Sequence, residues 1–155
     1  MRPLPTGDGW AMQYNRVLRS RANLDVPYNS TEEYDDAVYR FFQDAGHLKD
    51  WLKGDPAVPT SVSHGVEKFV ASRPCLRAAA DLANGSKHFE LTKHIRDGVS
   101  IVERRLTVRV GKEPAVEHTH QLLLGNGTVT TAVSLADEVI MEWQAFVRAE
   151  GLLSS

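Results

Sequence analysis

The feature that most narrows the fold is a change of hydrophobic period near residue 100. Val102, Leu106, Val108 and Val110 alternate with Glu103, Arg105, Thr107 and Arg109, and Arg104 alone breaks the inner row. Period two belongs to a strand with one wet face, because successive side chains point to opposite sides of a sheet. Before this point the apolar residues recur every three or four positions, the spacing of helices that bury one stripe. Strands grouped together, with no helices alternating between them, argue for an α+β fold and against a doubly wound parallel sheet.

The helical part opens with Trp10 to Arg21, where Trp10, Tyr14, Val17 and Leu18 share a side and Arg16, Arg19 and Arg21 take the remaining surface. After Pro27, Ser30 with Glu33 forms a capping box, in which each side chain satisfies a free amide of the first turn. Tyr34, Val38, Phe41, Ala45, Leu48 and Leu52 then make the stripe of one long helix, stopped by Gly54 and Pro56. Gly54 to Ser63 reads as a loop. Val66, Phe69 and Val70 suggest a brief helix, and Ser72 before Pro74 a fresh start, since proline is tolerated in a first turn. The continuation from Cys75 to Asn84 or beyond is rich in alanine, which favours helix and permits close packing.

A turn around Gly111 to Ala115 leads to a second strand, Val116 to Leu124, and Asn126-Gly127 signals a hairpin because both residues tolerate positive φ. Thr128 to Val133 returns as a third strand, and Ser134 with Asp137 opens a helix that runs through Trp143 and Phe146 to Gly151. The expectation is a single domain over residues 1–155. It has an N-terminal amphipathic helix and linker (1–30), a helical core (31–95), a three-stranded antiparallel β-meander (101–133) and a C-terminal helix (134–151). The bundle thus holds four to five helices, with the meander inserted before the last.

The 155 residues suffice for one core, and no apolar run approaches the roughly 20 residues that span a bilayer. With 18 Lys+Arg against 20 Asp+Glu there is no global basic field, so any nucleic-acid contact must be a local patch. One cysteine, Cys75, excludes an intramolecular disulfide, and Met-Arg-Pro-Leu-Pro at the start is not a hydrophobic signal region; residence in the cytoplasm, away from membranes, is expected. There is no Walker loop, dinucleotide glycine fingerprint, Cys-x-x-Cys or Gly-x-Ser-x-Gly, and no cofactor is expected. Charge is uneven: Thr31 to Asp55 carries seven acids against Arg40, Lys49 and Lys53, whereas Asn84 to Lys112 has seven Lys/Arg against three acids. Such polarity suits a self-complementary contact, and a homodimer, as well as RNA.

If the alanine-rich helix continues past Gly85, then Arg77, Asp81, Asn84 and His88 fall within about 60° of one another on one face. The plainer alternative is a solvated face. On the long helix His47 and Asp50 share a side with Arg40 and Gln43, opposite the apolar stripe. A polar groove between the two helices would let His47 and His88 converge on one anion or base and divide acid and base roles.

The arrangement Asn84-x-x-Lys87-His88, late in a helix of a small helical domain, resembles the motif of the HEPN superfamily (higher eukaryotes and prokaryotes nucleotide-binding). Many members are ribonucleases of toxin and defence systems. With His47-Leu-Lys-Asp50-Trp51 the chain also looks like small bacterial proteins with related helical cores; the likeness covers residues 31–95 and the last helix. It implies paired motifs across a homodimer and, were the protein catalytic, His88, Asn84 and His47 as the working residues. In the ribonuclease members an arginine stands immediately before the polar residue, where this sequence has Ala83. A metal-free ribonuclease needs a cation at the scissile phosphate. Arg77, eleven residues before His88, is about 16 Å away along the axis, leaving Arg40, Lys87 or a second subunit to supply one. The expectation is therefore a noncatalytic RNA- or protein-binding module whose groove holds Asp50, Lys87, Arg77 and Arg40, with a diverged metal-independent ribonuclease as the alternative.

His118-Thr-His120 places two imidazoles on one strand face, a spacing at which both can ligate one metal. With Val116, Leu122 and Leu124 on the same side they are expected at the edge of the packed face instead, and a metal-dependent activity there is the second alternative. Arg105 and Arg109 are the expected phosphate contacts on the wet strand face. Cys75, near a helix start, is expected to serve packing.

Overall fold

A computed structural model describes residues 9–87, 100–109, 112 and 115–153. Among the described residues five helices, α1 (Trp10–Ala22), α2 (Thr31–Gly54), α3 (Thr60–Ser72), α4 (Pro74–Lys87) and α5 (Ala132–Ala149), surround one core, and strands β1 (Ser100–Arg109), β2 (Ala115–Leu123) and β3 (Val129–Thr131) precede the last helix. The fold is mainly helical with a small antiparallel sheet.

The long helix α2 is the spine. Ser30 Oγ accepts the Glu33 amide at 3.1 Å, and the Glu33 carboxylate reaches back to the Asn29 amide at 3.4 Å, one residue beyond the cap. All six residues of the expected stripe are buried, joined by Ala37 and Phe42. They meet the apolar face of α5, where Trp143 and Phe146 pack edge to face at 5.9 Å and Phe69 of α3 stacks on Phe146 at 4.5 Å. Asp55, at the end of α2, binds α1: one carboxylate oxygen accepts the Trp10 amide at 2.9 Å and the other the Ala57 amide at 2.8 Å. A carboxylate at a helix start satisfies an orphan amide and complements the helix dipole.

One boundary differs from expectation in the helical part. The supposed loop to Ser63 ends at Pro59, because the Val62 and Ser63 amides both bond the Pro59 carbonyl at 3.0 Å and start α3 at Thr60. Val62 and Val66 give this 13-residue helix its buried side.

The sheet is mainly a two-stranded ribbon of β1 and β2, paired from Ser100 opposite Leu123 to Arg109 opposite Ala115. Its register slips between Ile101 and Glu103. One extra residue shifts the pleat, so a single alternation cannot run through Val102. The expected third strand shrinks to three paired residues, Val129–Thr131, after a turn in which Gly127 has φ +85°. Helix α5 begins before Ser134 because Thr131 Oγ1 accepts the Ser134 amide at 3.1 Å, while the Asp137 carboxylate is taken at 2.7 Å by Arg21 Nε. The expected Ser134–Asp137 box therefore does not form. Gly151, at φ +69°, closes α5 where a stop was expected.

Candidate functional site

Helix α4 is continuous through Asn84 and Gly85 to Lys87. Its closest partner is α2, where a methyl added at Gly46 would stand 3.5 Å from the Ala83 Cβ. A cavity of about 30 Å³ lies between Ala45, Gly46 and Lys49 of α2 and Leu76, Ala79 and Ala80 of α4. Gly46 thus stands against Ala83. His47 and Asn84, the residues that follow Gly46 and Ala83, are both exposed.

Other expected groove residues distribute around this pair. Asp50 and Arg40 are exposed on α2, Arg77 is half-buried on α4, and Lys87 closes α4 one turn beyond Ala83. Asp81 corrects the expectation of a wholly solvated stripe. It is only 2% exposed, because it stands beside Ala78 and Leu82 on the border of the buried face. His88 and His94 lie outside the described residues, so the convergence of His47 with His88 does too. Arg105 is exposed opposite Thr119, and Arg109 ends β1 opposite Ala115.

His118 and His120 are placed quite differently. His120 is 1% exposed and its Nε2 meets the Asp35 carboxylate; His118 Nε2 donates to the Tyr28 carbonyl at 2.9 Å. A carbonyl only accepts, which puts the His118 proton on Nε2. Tyr34 fills the space between them, stacked on His118 at 5.4 Å and edge-on to His120 at 4.7 Å. The two imidazoles thereby bolt β2 to the first turn of α2. Among the described residues no three or more His, Cys, Asp or Glu side chains form a group able to hold a metal. The Tyr34 hydroxyl and both Nδ1 atoms are buried without a hydrogen-bond partner, and burial pushes the Tyr34 phenol above its ordinary value.

Cys75 is buried, and desolvation pushes its thiol up to about 11, which suits packing and not nucleophilic use at neutral pH. The sequence reading missed the joint role of α1 and α2, which enclose an open cleft of about 380 Å³ edged by Arg16, Arg19 and Arg40. The three-residue spacing of Arg16 and Arg19 was its available signal. It could not show which arginine of α2 would stand opposite. No family model, curated protein or solved structure matches the chain.

Proposed function

We propose that the chain is a noncatalytic, HEPN-like binding module that works as a homodimer and takes RNA, or else a protein partner, along the α2–α4 groove. The observation that supports this reading is the uninterrupted course of α4 through Gly85 beside the Gly46–Ala83 contact, with the exposed His47 and Asn84 each following a contact residue. The cations Arg40, Arg77 and Lys87 on these two helices, and Arg105 on β1, favour RNA over protein. Where the ribonuclease motif has an arginine, Ala83 is spent on close helix packing. This favours binding over cleavage.

The test is fluorescence anisotropy with labelled single-stranded RNA, followed by electrophoresis of that RNA. The full chain is expected to bind and leave the RNA intact, and a His47→Ala/Asn84→Ala variant to bind at least tenfold more weakly. Cleavage that disappears in His88→Ala would replace this reading with the metal-independent ribonuclease of toxin or defence type. Unchanged affinity in the double variant would remove the groove from the interface.

A further inference from the structure

Four cations on the helices have carboxylate partners. Arg21 is held by Asp25 and Asp137, Lys49 and Lys53 share Glu67, and Arg73 meets Glu142. The α1–α2 cleft breaks that pattern. Arg16 and Arg19, one turn apart on α1, face Arg40 of α2 across an open space of about 380 Å³. Among the described residues none of the three makes an ion pair, and Arg16 gives only a hydrogen bond, to the Gln13 amide oxygen at 2.8 Å.

One carboxylate lines the cleft, that of Asp44, and it is already engaged by the buried Ser20 hydroxyl. The Asp44 carbonyl is also fixed, by the amide of the buried Gln13 at 2.9 Å. Three guanidiniums against one carboxylate leave a formal excess of two positive charges between α1 and α2, in a chain whose overall charge is -2. Asn23 and Gln43 stand at the rim as further donors. Guanidiniums brought together without counter-charge repel, and an anion with several acceptor oxygens relieves that repulsion while accepting their forked N–H groups.

We propose that this cleft is a binding site for a phosphoryl group. It shares Arg40 with the α2–α4 groove but requires neither His47 nor Asn84. A dianionic phosphate matches the local excess, and the planar forks of Arg16, Arg19 and Arg40 match its oxygens. The cleft continues past Ser20, Asn23 and Arg40 into a second cavity of about 230 Å³ beside Tyr28, Glu33 and Asp36. Acceptors there suit hydroxyl or amino groups of whatever carries the phosphate.

The experiment titrates pyrophosphate into the full chain by calorimetry at fixed ionic strength, with a labelled twelve-nucleotide RNA as a competing arm. Arg19→Gln/Arg40→Gln removes two of the three guanidiniums at exposed positions, and Lys68→Gln/Arg148→Gln removes the same charge elsewhere. Pyrophosphate is expected to bind the natural chain and the control equally, and the cleft variant at least tenfold more weakly, with all three melting alike. RNA that displaces pyrophosphate would identify a nucleic-acid backbone as the source of the phosphate; failure to displace it would identify a free phosphorylated compound. Equal affinity in all three proteins, or no binding of either probe, would overturn the site. Loss of RNA binding in His47→Ala/Asn84→Ala with pyrophosphate binding retained separates the fate of the groove from that of the cleft.

Discussion

Two places in this molecule hold histidines beside helix α2, and they show what burial does to the same side chain. Where β2 meets the first turn of α2, His118 and His120 are locked by Tyr28, Asp35 and Tyr34, with every accessible Nε2 position spoken for. Four turns further along α2, His47 stands exposed beside the α4 contact. Burial ties each Nε2 to an acceptor inside the protein, while both Nδ1 atoms stay unpaired. An exposed imidazole keeps water until a ligand displaces it. The first pair builds the fold, and the second position is open to a partner.

The contrast is sharpest in stability. His120→Ala is expected to cost about 3 kcal/mol in chemical denaturation, from a lost buried ring and its hydrogen bond to Asp35. A cost near zero would mean that the sheet is not anchored through this ring. Asp35→Ala leaves the His120 Nε2–H without its acceptor and is expected to cost about 2 kcal/mol.

Cys75 gives the comparison a pH axis. Its thiol is raised from 9.0 to about 11 in the folded protein, so its contribution is complete below pH 9 and is lost as pH rises toward 11. Denaturation at pH 8 and pH 10 should show a decline of about 1 kcal/mol in the natural chain beyond that in Cys75→Ala. Parallel behaviour of the two proteins would contradict a raised thiol.

Tyr34→Phe removes a buried hydroxyl that has no partner and is expected to raise stability by about 1 kcal/mol, whereas a loss would reveal a hydrogen bond at that oxygen. The smallest effect belongs to the other region. His47→Ala should change stability by less than about 0.5 kcal/mol, as befits an exposed helical side chain.

Much of the helical frame was legible because its signals are local. The stripe from Tyr34 to Leu52 and the Ser30 cap depend on neighbours within one turn, and both stand where the spacing put them. The sheet was less legible. Thr131 and Ser134 are both competent caps, and Arg21, distant in sequence, decides the matter by taking Asp137. The slip at Val102 likewise depends on the partner strand, which alternation within one strand cannot reveal. For the candidate site, periodicity put Arg40, His47 and Asp50 on one face, yet Asp81 in the same kind of polar row is buried. The cleft of Arg16, Arg19 and Arg40 was invisible for a related reason: it needs two helices whose mutual rotation is set by Gln13, Ser20 and Asp44.

The division between a structural pair of histidines and an open polar face can be read directly by two-dimensional NMR of the full chain titrated with the twelve-nucleotide RNA. The signals of Arg40, His47 and Asn84 should shift in proportion to bound RNA while those of His118 and His120 stay in place. Shifts centred on the β1–β2 ribbon and its histidines, with α1, α2 and α4 undisturbed, would contradict it.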